Sequence, residues 1–125
     1  MNIIISNASK EPIYEQITKQ IKNNILNEIL KEGEALPSIR NLARELKISV
    51  ITTKRAYEEL ERQEFIETIP GKGSYVAPQN KEMLREQKIK IVEDKLIDAI
   101  KEASIAGIGK EELKEMLDIL YDSIL

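Results

Sequence analysis

Apolar side chains at Tyr14, Ile17, Ile21, Ile25 and Leu26 recur at steps of three and four. This places them on one face of a helix predicted to run from a first-turn proline, Pro12, to about Ile29. Gln16, Lys19, Gln20 and Lys22 fall on its wet side. Residues 1–10 show no sustained period. They read as a polar arm, loose at its start, whose Ile3, Ile4 and Ile5 can add a short strand or an apolar patch. An acid-rich link with Gly33 then turns the chain.

Residues 36–72 carry the most informative pattern. Pro37 and Ser38 form a helix start signal. Leu42, Ala43 and Leu46 then face inward, with Ile39 at their side, while Arg40 and Arg44, four apart, share the outer surface. Lys47, Ile48 and Ser49 make a corner, with Ile48 as its buried pin and Ser49 as the cap of a second helix. Ala56, Tyr57 and Leu60 form that helix's inner stripe, with Thr53 at the edge. Val50, Ile51, Lys54 and Arg55 are left on the outside. Two short helices joined this tightly cross steeply and push the first turn of the second outward. Residues 65–69 and 74–77 then read as strands around Pro70, Gly71, Lys72 and Gly73, a tight reversal with a lysine at its tip.

Beyond Pro78 the character changes. Ile89, Val92, Leu96, Ala99 and Ala103 alternate steps of three and four over a helix predicted from about Lys81 to Ala103, and Leu84, Ile91 and Ile100 broaden the stripe. Gly107 to Gly109 break it. A last helix over residues 110–125 collects Leu113, Met116, Leu117, Leu120 and Tyr121 on one face. A reader domain this small leaves little core to cover such a surface, and a second copy of the chain is the simplest cover. The fold class expected is mainly α with a small β-hairpin. A winged helix-turn-helix occupies residues 1–78 and a two-helix dimerisation segment residues 79–125.

Composition narrows the chemistry. At 125 residues there is room for a small domain and an appendage but not for a large separate sensor domain. With no cysteine and no histidine, zinc fingers, iron–sulfur sites, thiol nucleophiles and histidine bases are excluded. No paired-carboxylate site stands out, so the expectation is a non-enzyme without cofactor or metal. No apolar run has membrane-spanning length, and no basic segment leads into a signal-type core; a soluble, cytoplasmic, nucleoid-associated protein is expected.

The net charge of -3 hides an asymmetry. Residues 1–78 hold 11 basic and 11 acidic residues, residues 79–125 hold 8 and 11. Between Ser38 and Ala56, Arg40, Arg44, Lys47, Lys54 and Arg55 stand against Glu45 alone, and a phosphate backbone responds to that local field.

Ser49, Thr52 and Thr53 are short and polar, as the start of a recognition helix requires, and Lys54 and Arg55 add charge and reach. Val50 and Ile51 are branched and apolar in a position facing solvent, where a thymine methyl would cover them. Gly71 and Lys72 can set backbone amides and an ammonium against the minor groove. This GKG sequence lacks the spacing and the Lys-Ser/Thr ending of a nucleotide-binding loop.

The segments PIYEQI (12–17), LPSIRNLARELKIS (36–49), RAYEELE (55–61) and GKGSYV (71–76) closely resemble the GntR family of bacterial transcription regulators. The short tail with IAGIGKEELKEML (105–117) resembles its YtrA-type branch. The resemblance implies a homodimer that binds palindromic or near-palindromic double-stranded DNA and usually represses, often at operons for ATP-binding-cassette transporters. It places Arg40 and Arg44 on the DNA backbone or groove edge. Ser49, Val50, Ile51, Thr52 and Lys54 take the reading face, and Gly71 with Lys72 the wing. Val50 and Ile51 depart from the longer polar residues frequent in the family, and Thr53 from a larger apolar one. The family's base contacts therefore do not carry over.

Two other readings stay open at this point: an activator or DNA-bending protein of the same class, and a helical adaptor that binds a protein through its C-terminal stripe. The sequence carries no signature of a small-molecule effector, although a hydrophobic ligand can enter between the last two helices.

Overall fold

The computed structural model describes residues 1–125. In chain order the elements are α1 (Ile13–Leu26), α2 (Ile39–Leu46), α3 (Val50–Arg62), β1 (Ile66–Ile69), β2 (Gly73–Val76), α4 (Lys81–Ala106) and α5 (Lys110–Ile124). The chain divides into two compact units, Met1–Leu84 and Arg85–Leu125, with the division inside α4.

In the first unit α3 packs on both α1 and α2. Its Thr53, Ala56, Tyr57 and Leu60 are buried beside Ile17, Ile21, Ile25 and Leu26 of α1 and Leu42 and Ala43 of α2. Phe65, Ile66 and Val76 close the core from the hairpin. Side chains of this size each contribute roughly 1.5–3 kcal/mol when fully removed from water. Thr53, expected at the edge, is fully buried. It fits because its hydroxyl donates to the Ser49 carbonyl one turn earlier (3.1 Å), and no buried side-chain polar atom is left without a partner.

Strands β1 and β2 pair antiparallel from Ile66 opposite Val76 to Ile69 opposite Gly73. Ala35 bridges to Tyr75, and the Leu36 amide donates to the Ser74 carbonyl (2.9 Å), so the stretch before α2 runs along the hairpin. The Tyr57 hydroxyl, whose ionisation burial pushes up, donates to the Pro37 carbonyl (2.7 Å) and ties α3 to the same stretch.

The helix ends follow one design. After α1, α2, α3 and α4 the chain passes through a left-handed residue, respectively Glu28, Lys47, Glu64 and Gly107. In each case the next residue donates back to a carbonyl five positions earlier: Ile29 to Asn24, Ile48 to Ala43, Phe65 to Leu60 and Ile108 to Ala103. This bond, with an apolar residue making it, is the signature of a Schellman turn. The turn at Glu28 stops α1 at Leu26, short of the predicted Ile29, which lies exposed. Ile48, predicted as a buried pin, is only half-buried; the backbone bond to Ala43 fixes that corner.

Gln16 and Gln20 do not line a wet side. The Gln20 carboxamide accepts from the Ile4 amide (2.8 Å) and donates to the Ile4 carbonyl (2.7 Å). Gln16 does the same for Ser6 (2.9 and 3.1 Å) and also donates to the Glu11 carbonyl. Alternate residues of an extended chain advance about 6.8 Å, close to the roughly 6 Å between residues four apart on a helix, so two glutamines serve two successive pairs. Ile3 is thereby buried and Ile4 left outside, in an arm that forms no strand of a sheet.

In the second unit α4 and α5 are joined through the turn at Gly107. Ala103 is buried within the chain, Ile89, Ile91 and Leu113 are half-buried, and Val92, Leu96, Ala99, Ile100, Leu117, Leu120 and Tyr121 are exposed. A groove of about 620 Å³ runs between the two helices, walled by Leu96, Ile100, Leu113, Met116, Leu117 and Leu120.

Because a non-glycine residue in the left-handed region is strained by roughly 1–2 kcal/mol, Glu64→Gly should raise stability by about 0.5–1 kcal/mol after glycine's entropic cost, whereas Glu64→Ala should not. Urea unfolding of the two variants checks this.

Candidate nucleic-acid interface

The reading helix is built from its cap outward. Ser49 is extended (φ −71°, ψ 150°), and its Oγ accepts from the Thr52 amide (3.1 Å) while donating to the Thr52 Oγ1 (2.7 Å). The Ser49 hydroxyl is thus committed to the cap. Thr52 keeps its own O–H for a partner outside the protein. Burial of Thr53, Ala56 and Tyr57 turns Val50 and Ile51 out, at 47% and 81% exposure. Lys54 is exposed and lies 3.8 Å from Glu58, a surface pair too weak to hold it.

On α2, Ser38 caps the first turn by accepting from the Asn41 amide (3.1 Å). Arg40 and Arg44 stand on its exposed side, neither in an ion pair with the protein. The left-handed turn at Lys47 then sets α3 directly against α2. Farther along α3, Arg62 and Gln63 bind Glu59 and hold its carboxyl down at about 2. Positive charge gathers at the start of α3 and on α2, with the paired Glu59 beyond it.

The wing is a short, braced loop. Gly71 (φ +76°) and Gly73 (φ +115°) take conformations that a side chain would strain, and the Lys72 amide donates to the Ile69 carbonyl (2.9 Å). The Tyr75 hydroxyl donates to the Lys72 carbonyl (3.1 Å), and Thr68 and Ser74 share a hydrogen bond across the strands (2.9 Å). The Lys72 side chain is left exposed at the tip.

Arg55 lies elsewhere than its neighbours suggest. Its guanidinium sits over the Tyr14 ring at 3.9 Å from the centroid, reaching from α3 to the first turn of α1. Sequence reading placed Tyr14 in the apolar stripe of α1 and missed this role, as it missed Tyr75. An aromatic ring and a guanidinium 41 positions apart leave no local signal; each becomes legible only when α1 is packed on α3.

The profile described as "Bacterial regulatory proteins, gntR family" matches residues 13–76, from the first residue of α1 to the last of β2. The chain belongs to the gntR family. It is 40% identical over 115 residues to the HTH-type transcriptional repressor YtrA of Bacillus subtilis, covering 92% of this chain and 88% of that protein. A transcriptional regulator from Oenococcus oeni superposes with a TM-score of 0.78 at 31% identity, over 94% of this chain and 97% of the other. A GntR family transcriptional regulator from Listeria monocytogenes gives 0.74 at 32%, over 91% and 97%. This gntR-family chain is a winged helix-turn-helix, DNA-binding transcription regulator. No helix in it is long and apolar enough to cross a membrane.

Ser49→Ala should cost about 1 kcal/mol by leaving the Thr52 amide uncapped, and Ser49→Asp should restore most of it. Denaturant midpoints of the two variants test the assignment of this hydroxyl to the cap.

Proposed function

We propose that this regulator is a homodimeric repressor of the YtrA type, acting in the cytoplasm by binding rather than catalysis. Two copies read an inverted-repeat operator and block the promoter of an operon, with an ATP-binding-cassette transporter operon as the expected target. The carrying observation is the first turn of α3, where Ile51, the most exposed large apolar side chain of that helix, stands beside the undonated O–H of Thr52 and the exposed Lys54, with Arg40 and Arg44 on the exposed side of α2. A branched apolar side chain so exposed is favourable once covered, and a thymine methyl in the major groove covers it.

Dimerisation is supported by the second unit, whose apolar side chains outnumber what two helices can bury between themselves. Leu96, Ile100, Leu117, Leu120 and Tyr121 stay open, and a second copy closes them. Two recognition helices then lie about 34 Å apart, one turn of DNA. The YtrA-type reading and the repressor role rest on the B. subtilis repressor, matched over most of both chains.

Footprinting and salt titration on duplex from the chain's own upstream region provide the test. Two symmetric half-sites occupied by two chains are expected; binding that does not distinguish this DNA from scrambled duplex would overturn the reading. Arg40→Ala should weaken binding to most sequences and reduce the salt slope by about two units per dimer, one phosphate on each side. Ile51→Ala should leave the slope alone and reduce discrimination at one symmetric pair of positions by roughly 1 kcal/mol per base pair.

A further inference from the structure

Among the cations at the start of α3, Arg55 is the one with a defined platform. It follows Ile51 by four residues and so shares its outer face, and helical side chains lean toward the N-terminus, which carries the guanidinium back toward the level of the reading turn. Its guanidinium carbon lies over the Tyr14 ring, 3.9 Å from the centroid. Lys54 of the same turn has Glu58 within 3.8 Å and Arg62 is held by Glu59, but Arg55 makes no ion pair and no hydrogen bond with the protein. A stacked guanidinium keeps its N–H donors in one plane along its rim, the geometry that suits a bidentate oxyanion. Tyr14 is itself oriented, its hydroxyl donating to Glu15 (3.1 Å).

We propose that Tyr14 and Arg55 form a phosphate clamp at the junction of α1 and α3. Tyr14 is the positioning residue that holds the guanidinium, and Arg55 donates to a backbone phosphate of the operator. The clamp rests on the proposed reading face of α3. It gives α1, which otherwise only braces the reader, a part in DNA affinity. Base readout stays with the first turn of α3, so the clamp contributes alike to all sequences.

A double-mutant cycle on the operator duplex tests this, with the full-length chain titrated at several salt concentrations. Arg55→Met should reduce the salt slope by about two units per dimer. Tyr14→Leu should weaken binding roughly five- to tenfold with two clamps per dimer, and Tyr14→Phe, which keeps the ring, should stay within about twofold of the wild type. In the Arg55→Met background Tyr14→Leu should produce no further loss, a result that a purely structural role for the tyrosine would not give. Additive losses, or an Arg55→Met slope equal to that of the wild type, overturn the clamp. Arg55 is exposed, so the slope measurement stands even if Tyr14→Leu lowers the melting temperature. A wild-type chain that binds no duplex overturns the reading face and the clamp together, whereas sequence-specific binding with an additive cycle overturns the clamp alone.

Discussion

Burial of one side of α3 is the constraint on which the rest of the first unit depends. Thr53, Ala56, Tyr57 and Leu60 repeat at three- and four-residue steps and are all enclosed, so the opposite side of a short helix is left bare by geometry. Helix α1 supplies the broad apolar wall, and α2 packs on α3 as well. The hairpin closes the end of the core. The residues that turn outward need no packing reason to be there, which is why their identities are free to be set by DNA.

The connections between helices are equally economical. Three of the four Schellman turns place a charged residue, Glu28, Lys47 or Glu64, in a conformation that glycine occupies more easily. Backbone bonds to the preceding turn, with Phe65 fully buried behind one of them, hold these residues in place. At Lys47 the arrangement has a second effect: the sharp corner that brings α2 against α3 also sets a positive charge between Arg44 and the cap of α3.

The pattern of apolar residues was enough to read the helices, the hairpin and the core, because burial imposes a period and the period is local. Ile51 and the cap at Ser49 were legible for the same reason. What escaped were ends and cross-chain contacts. The helix stop at Glu28 has no glycine to announce it; the usable signal is the apolar residue that follows, Ile29, and it resembles any other member of a stripe. Gln16 and Gln20 read as solvent-facing because their partners are backbone atoms of an arm with no pattern of its own. Thr53 read as an edge residue because its hydroxyl is satisfied within its own helix.

The carboxamides of Gln16 and Gln20 carry no charge and do not titrate, so the hydrogen bonds by which they hold the arm depend on neither ionic strength nor acidity. The attachment of this protein to DNA is expected to respond strongly to salt, since it displaces counterions from phosphates. The molecule therefore joins two kinds of fastening with separate controls. A rise in salt that weakens the grip on DNA leaves these uncharged bonds between the arm and α1 untouched.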